Sequence, residues 1–264
     1  HAGSPCVSER PDLLARFSRN WGEALESVVG STGGRVMRQV AVVATDVGFP
    51  AGLMNSVILL SPLDVNEVLA LTASLDAFFG REQRAPARTV FMFTVWPVPD
   101  LAPFGWAYVE QMPLMMRLPE ADATPAPPDF RVSEVRTVQD LRHFEQVMIQ
   151  GFPVPELEGL PAGSAFGPSV LEDSRHRYWL GWHEERPVSA SASYVAHGLV
   201  HLTFLATLPQ MRGRGFGTAL ARAATLTDLG LPAMLMASSE GQPLYARLGY
   251  RQVLAMPLWV REWP

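Results

Sequence analysis

The feature that most constrains this chain is the run from Leu199 to Gly230, LVHLTFLATLPQMRGRGFGTALARAATLTDLG. Apolar and β-branched residues dominate Leu199 to Leu208 with no Gly or Pro among them, which predicts a strand that Pro209 ends. Gly213, Gly215 and Gly217 then alternate with larger residues. From Thr218 to Leu229 the apolar spacing (Leu220, Ala224, Leu226) predicts a helix, with Gly230 suited to its C-terminal cap. A strand, a glycine-rich turn and a helix in that order aim free backbone N–H groups at an anion. Glycine lets the backbone approach phosphate oxygens and supplies positive φ. Arg212 and Arg214 add positive charge at the rim. The stretch therefore reads as a pyrophosphate cradle, against the plainer reading of a glycine-rich loop without a ligand.

The spacing separates the kinds of cradle. A dinucleotide fingerprint needs Gly-x-Gly-x-x-Gly, and here the turn reads Gly-x-Gly-x-Gly. A kinase glycine loop fits Gly213 to Gly217 better, but kinases and Walker-type NTPases also place a lysine on the phosphates. This chain has no lysine: every one of its 21 basic residues is arginine. What remains is Arg-x-x-Gly-x-Gly, supplied by Arg212, Gly215 and Gly217 within LATLPQMRGRGFGTAL. It resembles the acetyl-CoA-binding signature of the GNAT superfamily of N-acetyltransferases. Further on, GQPLYARLGYRQV resembles the family's Leu-Tyr-x-x-Leu-Gly-Phe/Tyr motif, in the order the family shows.

At 264 residues the chain allows one large or two ordinary domains, and an apolar share of 48% supports a substantial core. Pro, Ala and acidic residues crowd 119–129 (PEADATPAPPD), which reads as a linker between roughly equal halves. No apolar run is long and uninterrupted enough for a membrane span. A net charge of -5 without basic clusters argues against nucleic acid or anionic membranes as partners. The single cysteine, Cys6, excludes an internal disulfide and cannot build a metal site, so no metal is expected. The first residues lack the apolar core of a signal peptide, and a cytoplasmic location is the expectation.

In the first half, Leu13, Leu14, Phe17, Trp21, Leu25 and Val28 recur on one face and predict a helix over 9–29. Strands follow at 36–45, 54–60, 89–96 and 111–118, with a helix over 65–79. In the second half a strand at 130–135 precedes a helix from Thr137 to about Gln150, and 151–169 is loop. A hairpin covers 178–182 and 188–194, with Ser189, Ser191 and Ser193 forming an outward polar face. After the central stretch come a buried strand at 233–237, a short helix at 242–248 and a last strand at 250–260. The fold class is α/β with a mixed sheet. From Phe130 onward the order is similar to a complete GNAT fold. GFPAGLMNSVILL, TVFMFTVW and EQMPLMMRL resemble, more distantly, the degenerate first half of tandem GNAT proteins. The expected domains are thus 1–118 (degenerate GNAT-like), a linker at 119–129, and 130–264 (the acetyltransferase domain), the first packing on the second and walling its acceptor cleft.

The resemblance implies roles for particular residues. The backbone of Leu205, Ala206 and Thr207 would hold the pantetheine arm of acetyl-CoA. The amides of Arg212, Gly213, Arg214, Gly215, Phe216, Gly217 and Thr218 would hold the pyrophosphate. Ser238 and Ser239 fall where a polar residue often meets the cosubstrate, although loop serines are commonly turn formers. Tyr245 falls at the family's general-acid tyrosine, and an ordinary phenol is protonated at neutral pH. A strand amide near Leu205 would serve the oxyanion. His201 has the residue type for a base but reads better as a core histidine, and His197 as a turn residue. Glu156 and Glu158 lie in the loop that borders the family's acceptor site, where carboxylates would attract a cation, but a solvated loop is the better reading of them. Trp106, Trp179, Trp182 and Trp259 read as core or interface. The implied activity is acetyl transfer from acetyl-CoA to a primary amine of a small molecule, with a protein amine as the other acceptor. A non-catalytic acyl-CoA sensor or scaffold is the alternative, and a longer acyl donor a second one. Oligomeric state stays open.

Overall fold

The computed structural model describes residues 10–80, 87–152 and 157–263; Cys6 and Glu156 fall outside them. Helix α1 (Arg10–Ser31) buries the expected face, with Phe17, Trp21, Leu25 and Val28 all inside. The single strand expected over 36–45 is instead a hairpin of β1 (Arg35–Gln39) and β2 (Val42–Asp46), paired antiparallel from Arg35↔Asp46 to Gln39↔Val42. The turn was hidden because an apolar residue, Val40, sits fully exposed at its tip.

Strand β3 (Ser56–Leu59) leads to α2 (Val65–Phe79), then β4 (Arg88–Phe93) and β5 (Ala107–Arg117). Asp64 caps α2 by accepting from the amides of Asn66 and Glu67, and the Glu67 carboxylate returns to the Asp64 amide at 2.7 Å. The second half runs β6 (Phe130–Glu134), α3 (Val138–Gly151), β7 (His176–His183), β8 (Arg186–Ala196), β9 (Leu199–Thr207), α4 (Phe216–Thr225), β10 (Ala233–Met236), α5 (Gln242–Arg247) and β11 (Arg251–Trp263).

All eleven strands join one mixed sheet in the order β1-β2-β3-β4-β11-β5-β10-β9-β8-β7-β6. The halves delimited by the linker therefore do not build separate sheets. The last strand, β11, lies between β4 and β5, antiparallel to both (Trp259↔Met92, Met256↔Met112). In turn β5 pairs with β10 of the second half (Leu235↔Met115). Periodicity shows that these runs are buried strands, but it does not say which edges they join.

α1 also ties the halves together. Asn20 donates to the carbonyls of Ala196 (3.0 Å) and Tyr194 (3.3 Å), and Arg16 to those of His197 (2.7 Å) and Gly198 (2.6 Å). His197 is a turn residue with φ +53°, its Nε2 2.9 Å from a Glu23 oxygen.

The serine face of β8 points inward, not outward. Ser189, Ser191 and Ser193 are fully buried. Their hydroxyls meet Ala206 O (2.8 Å), Phe204 O (2.9 Å) and Thr227 Oγ1 (2.9 Å). Small side chains here let α4 lie close on the sheet, and each hydroxyl finds a partner, so burial carries no unpaired-group cost. Of the tryptophans, Trp106 is wholly buried and in edge contact with Trp263, consistent with a core role.

Candidate functional site: a strand split beside a glycine turn

The parallel strands β9 and β10 pair only at Val200↔Ala233 and His201↔Met234. Past that point β10 follows β5, and Ala237 N donates to Pro113 O at 2.9 Å. Meanwhile β9 stays with β8 as far as Ser189↔Thr207. The two strands thus part, and one backbone edge of β9 from Leu202 to Thr207 borders the gap. Within that edge the register jumps from Ser193↔Leu202 to Ala192↔Phe204, leaving Thr203 as a β-bulge. The extra residue reverses the alternation. Leu202 packs with Ala221 and Ala224 of α4, while Phe204 packs on the other face, its ring 5.6 Å from that of Phe166.

At the far end of β9, a short 3-10 turn (Pro209–Met211) feeds the glycine segment. Gly213 (φ +76°) and Gly215 (φ +82°) occupy the left-handed region, where a Cβ is costly. Gly215 caps α4 with no side-chain bond, and Ala219 makes the first helical bond, to Gly215 O at 3.1 Å. Among the described residues, the amides of Gly213 to Thr218 meet no acceptor. A Cβ on Gly217 would lie 3.1 Å from Thr207 Oγ1. α4 thus starts at Phe216, two residues ahead of the expected start.

The other expected site residues divide. Leu205, Ala206 and Thr207 border the gap through their backbone. Arg212 is occupied: its amide closes on Pro209 O (3.3 Å), and its guanidinium donates to Thr207 O (3.2 Å) and Gly151 O (2.9 Å). That side chain staples β9 to the C-terminal end of α3, so it is not a free rim charge. Arg214 does stay exposed, with Nη1 3.5 Å from His183 Nε2. Phe216 is buried and stacked on Phe130 (4.3 Å), so it can offer a ligand only its amide. Ser238 Oγ accepts from Gly241 N (3.1 Å), the bond of a turn former. Tyr245, on α5, is buried with Ala221, Ala224, Leu235 and Leu248, and burial pushes its phenol above the ordinary range.

On the α1 side of the split lies a cleft of about 50 Å³ that opens to solvent, lined by Trp21, Leu25, Phe93 and Met236 and floored by His201 to Phe204 of β9. Residues from the first half therefore wall the gap. A second apolar cavity of about 40 Å³, shared at Leu53 and Phe204, continues toward Met148 and Phe166. His201 is a core histidine, its Nδ1 3.2 Å from Asn20 Oδ1 and its ring against Phe17 and Trp21; burial pulls its pKa to about 3. Glu158 is exposed in an outer surface pocket beside Gln146 and Gln150.

Sequence reasoning missed two polar groups here. His176 is buried, with neither ring nitrogen partnered among the described residues; burial pulls its pKa to about 4. Thr203 Oγ1 is buried and unpartnered as well. Neither sits in a motif, and only the cross-strand row His176↔Tyr194↔His201 brings His176 to the cleft. Glu145 was missed too. Its carboxylate accepts from the amides of Gly163 (2.7 Å), Ala165 (2.8 Å) and Phe166 (3.1 Å) and from Arg142 (2.6 Å), and so shapes the loop beside the second cavity.

Among the described residues, no helix is long and apolar enough to cross a membrane, and no group of three His, Cys, Asp or Glu side chains could hold a metal ion. No curated protein sequence matches the chain. Residues 174–252, which span the split, the glycine turn and Tyr245, match the acetyltransferase (GNAT) domain. The whole chain is similar in structure to a GCN5-related N-acetyltransferase from Kribbella flavida, at 18% identity, TM-score 0.66 and 94% coverage of both chains. It is also similar to a GCN5-related N-acetyltransferase from Sphaerobacter thermophilus (14% identity, TM-score 0.57, covering 87% of this chain and 76% of that one). A third likeness is to a putative GNAT-family acetyltransferase from Novosphingobium aromaticivorans (14% identity, TM-score 0.53, coverage 88% and 95%). The fold is thus that of GNAT proteins, and the match to the domain falls on the split and the glycine turn.

Proposed function

We propose that the chain is an acetyl-CoA-dependent N-acetyltransferase acting on a primary amine. The observation that carries this reading is the parting of β9 from β10 at the head of a turn whose amides from Gly213 to Thr218 meet no acceptor among the described residues. The split offers backbone hydrogen bonds to an extended amide-containing arm, and the turn offers N–H groups to a pyrophosphate. Gly213 has open space where a Cβ would lie, so its backbone can meet a ligand, while Pro127 and Thr207 keep Gly215 and Gly217 small.

In this reading Leu205 to Thr207 orient the arm. The amides of Gly213 to Thr218 hold the phosphates, and that of Arg212, already bonded to Pro209 O, contributes least. The backbone at the Thr203 bulge lies beside the reacting carbonyl, where an N–H would stabilise developing negative charge. The amine nitrogen forms the new C–N bond as the C–S bond breaks, and Tyr245 donates a proton to the leaving sulfur. A phenol raised by burial stays protonated through neutral pH, as that role requires. We read the first half as a degenerate GNAT-like half that lends α1 and β4 to the acceptor cleft, and we read the location as cytoplasmic, with which a chain of one cysteine is compatible.

Calorimetric titration of acetyl-CoA into the wild type and Gly215→Glu, paired with an amine screen for thiol release, tests the proposal. Micromolar binding lost in the variant, with thiol release in the wild type, is the expected result. Binding without turnover of any amine leaves the sensor reading, and no binding overturns both.

A further inference from the structure

The cleft at the bulge opens to solvent and, among the described residues, carries no charge to receive a cation. Among the described residues, no Asp, Glu or Arg lines either cavity. The Glu158 carboxylate faces an outer surface pocket, and that of Glu145, beside the second cavity, is taken up by Arg142 and three backbone amides. An ammonium entering this space loses its hydration and gains no counter-charge. Nor can the cleft strip its proton readily. His176 and His201, the titratable side chains of the lining, are both pulled far below an alkylamine's pKa by burial.

The same walls do suit a neutral ring. Trp21 and Phe93 lie 4.7 Å apart, centroid to centroid, and present an aromatic surface. His176 and Thr203 supply unpartnered neutral hydrogen-bonding atoms on the β-sheet side. Resting on the acetyl-transfer reading above, we infer that the acceptor is a weakly basic amine carried on an apolar ring, an arylamine in chemical class, which enters uncharged with its nitrogen toward Thr203. Its nitrogen already holds a free lone pair, so attack on the thioester carbon needs no prior deprotonation. The proton released from nitrogen ends on the leaving sulfur, and atoms and charge balance.

Two isomers of one formula test this: 4-ethylaniline is neutral at pH 7, and 2-phenylethylamine is a cation. Each is titrated calorimetrically into the full chain without donor, then used as acceptor with acetyl-CoA. We expect 4-ethylaniline to bind and to be acetylated with a kcat/KM at least about tenfold higher at pH 7, the gap narrowing as pH rises and the alkylamine loses its proton. Equal or better use of 2-phenylethylamine at pH 7 overturns the inference. So does binding of acetyl-CoA when neither isomer binds, which leaves the transferase reading standing. Binding of 4-ethylaniline alone, without acetyl-CoA, supports the cavity's preference and removes the transfer reading instead. Ala24→Leu and, separately, Leu53→Trp narrow the cleft. Both should weaken 4-ethylaniline binding with acetyl-CoA affinity unchanged, and wild-type binding in both would overturn the location.

Discussion

Nδ1 of His201 lies 3.2 Å from Oδ1 of Asn20, across the seam between the first helix and the strand that floors the cleft. The amide nitrogen of the same asparagine donates to carbonyls of β8. One buried side chain therefore positions α1 over the site. Asn20→Ala leaves His201 and those carbonyls without partners and should lower unfolding stability by about 2 kcal/mol, read from urea midpoints. Asn20→Asp replaces the donor with a carboxylate facing carbonyl oxygens and should cost more.

The glycine turn separates backbone strain from ligand blocking. Gly215→Ala places a Cβ at φ +82° and 3.3 Å from Pro127 Cγ. It should cost about 1 kcal/mol of stability and weaken acetyl-CoA binding. Gly213 has the same backbone sign but no atom within 4 Å of its Cβ position. Gly213→Ala should therefore show a similar stability loss and a smaller loss of affinity. Matching affinity losses in calorimetry would contradict this geometry.

Tyr245→Phe should lower kcat by about 10²-fold or more with acetyl-CoA affinity nearly unchanged. Because burial raises the phenol, the wild-type rate should show no loss of the acid form up to the ordinary phenol range near pH 10. A falling alkaline limb below pH 9 that the variant retains would place the acid elsewhere.

Buried histidines predict how stability depends on pH. The folded-state pKa values of His176 and His201 are lowered to about 4 and about 3. Below the ordinary value near 6.5 the unfolded chain takes up protons that the native state refuses, so stability falls with pH there. Each site should cost about 1.4 kcal/mol per pH unit between about 6 and 4, and nothing above 7. Replacing His176 by Gln should flatten the urea midpoint against pH in that window.

Glu145 anchors the loop by accepting three backbone amides and an arginine. Glu145→Ala leaves those donors and Arg142 uncompensated, and should destabilise by about 3 kcal/mol or more. Glu145→Gln keeps one acceptor oxygen and should lose less. Limited proteolysis within 157–166, faster for Ala than for Gln, checks the order.

The sequence by itself determined the local elements and the glycine turn. Apolar periodicity marked α1 and α2 closely, Pro209 ended β9, and the alternating glycines announced a turn that needs positive φ. These signals are local, since backbone conformation and one-sided burial are written in neighbouring residues. It misread the serines of β8, because a small polar strand looks solvated until a helix is known to cover it. Tertiary structure alone decided that β11 inserts between β4 and β5, that β9 parts from β10 after two pairs, and that α1 and β4 wall the gap. It also brought His176, Thr203 and Glu145 to the cleft and its border. Those placements depend on pairings between residues tens to hundreds of positions apart, about which the periodicity of a single strand carries no information.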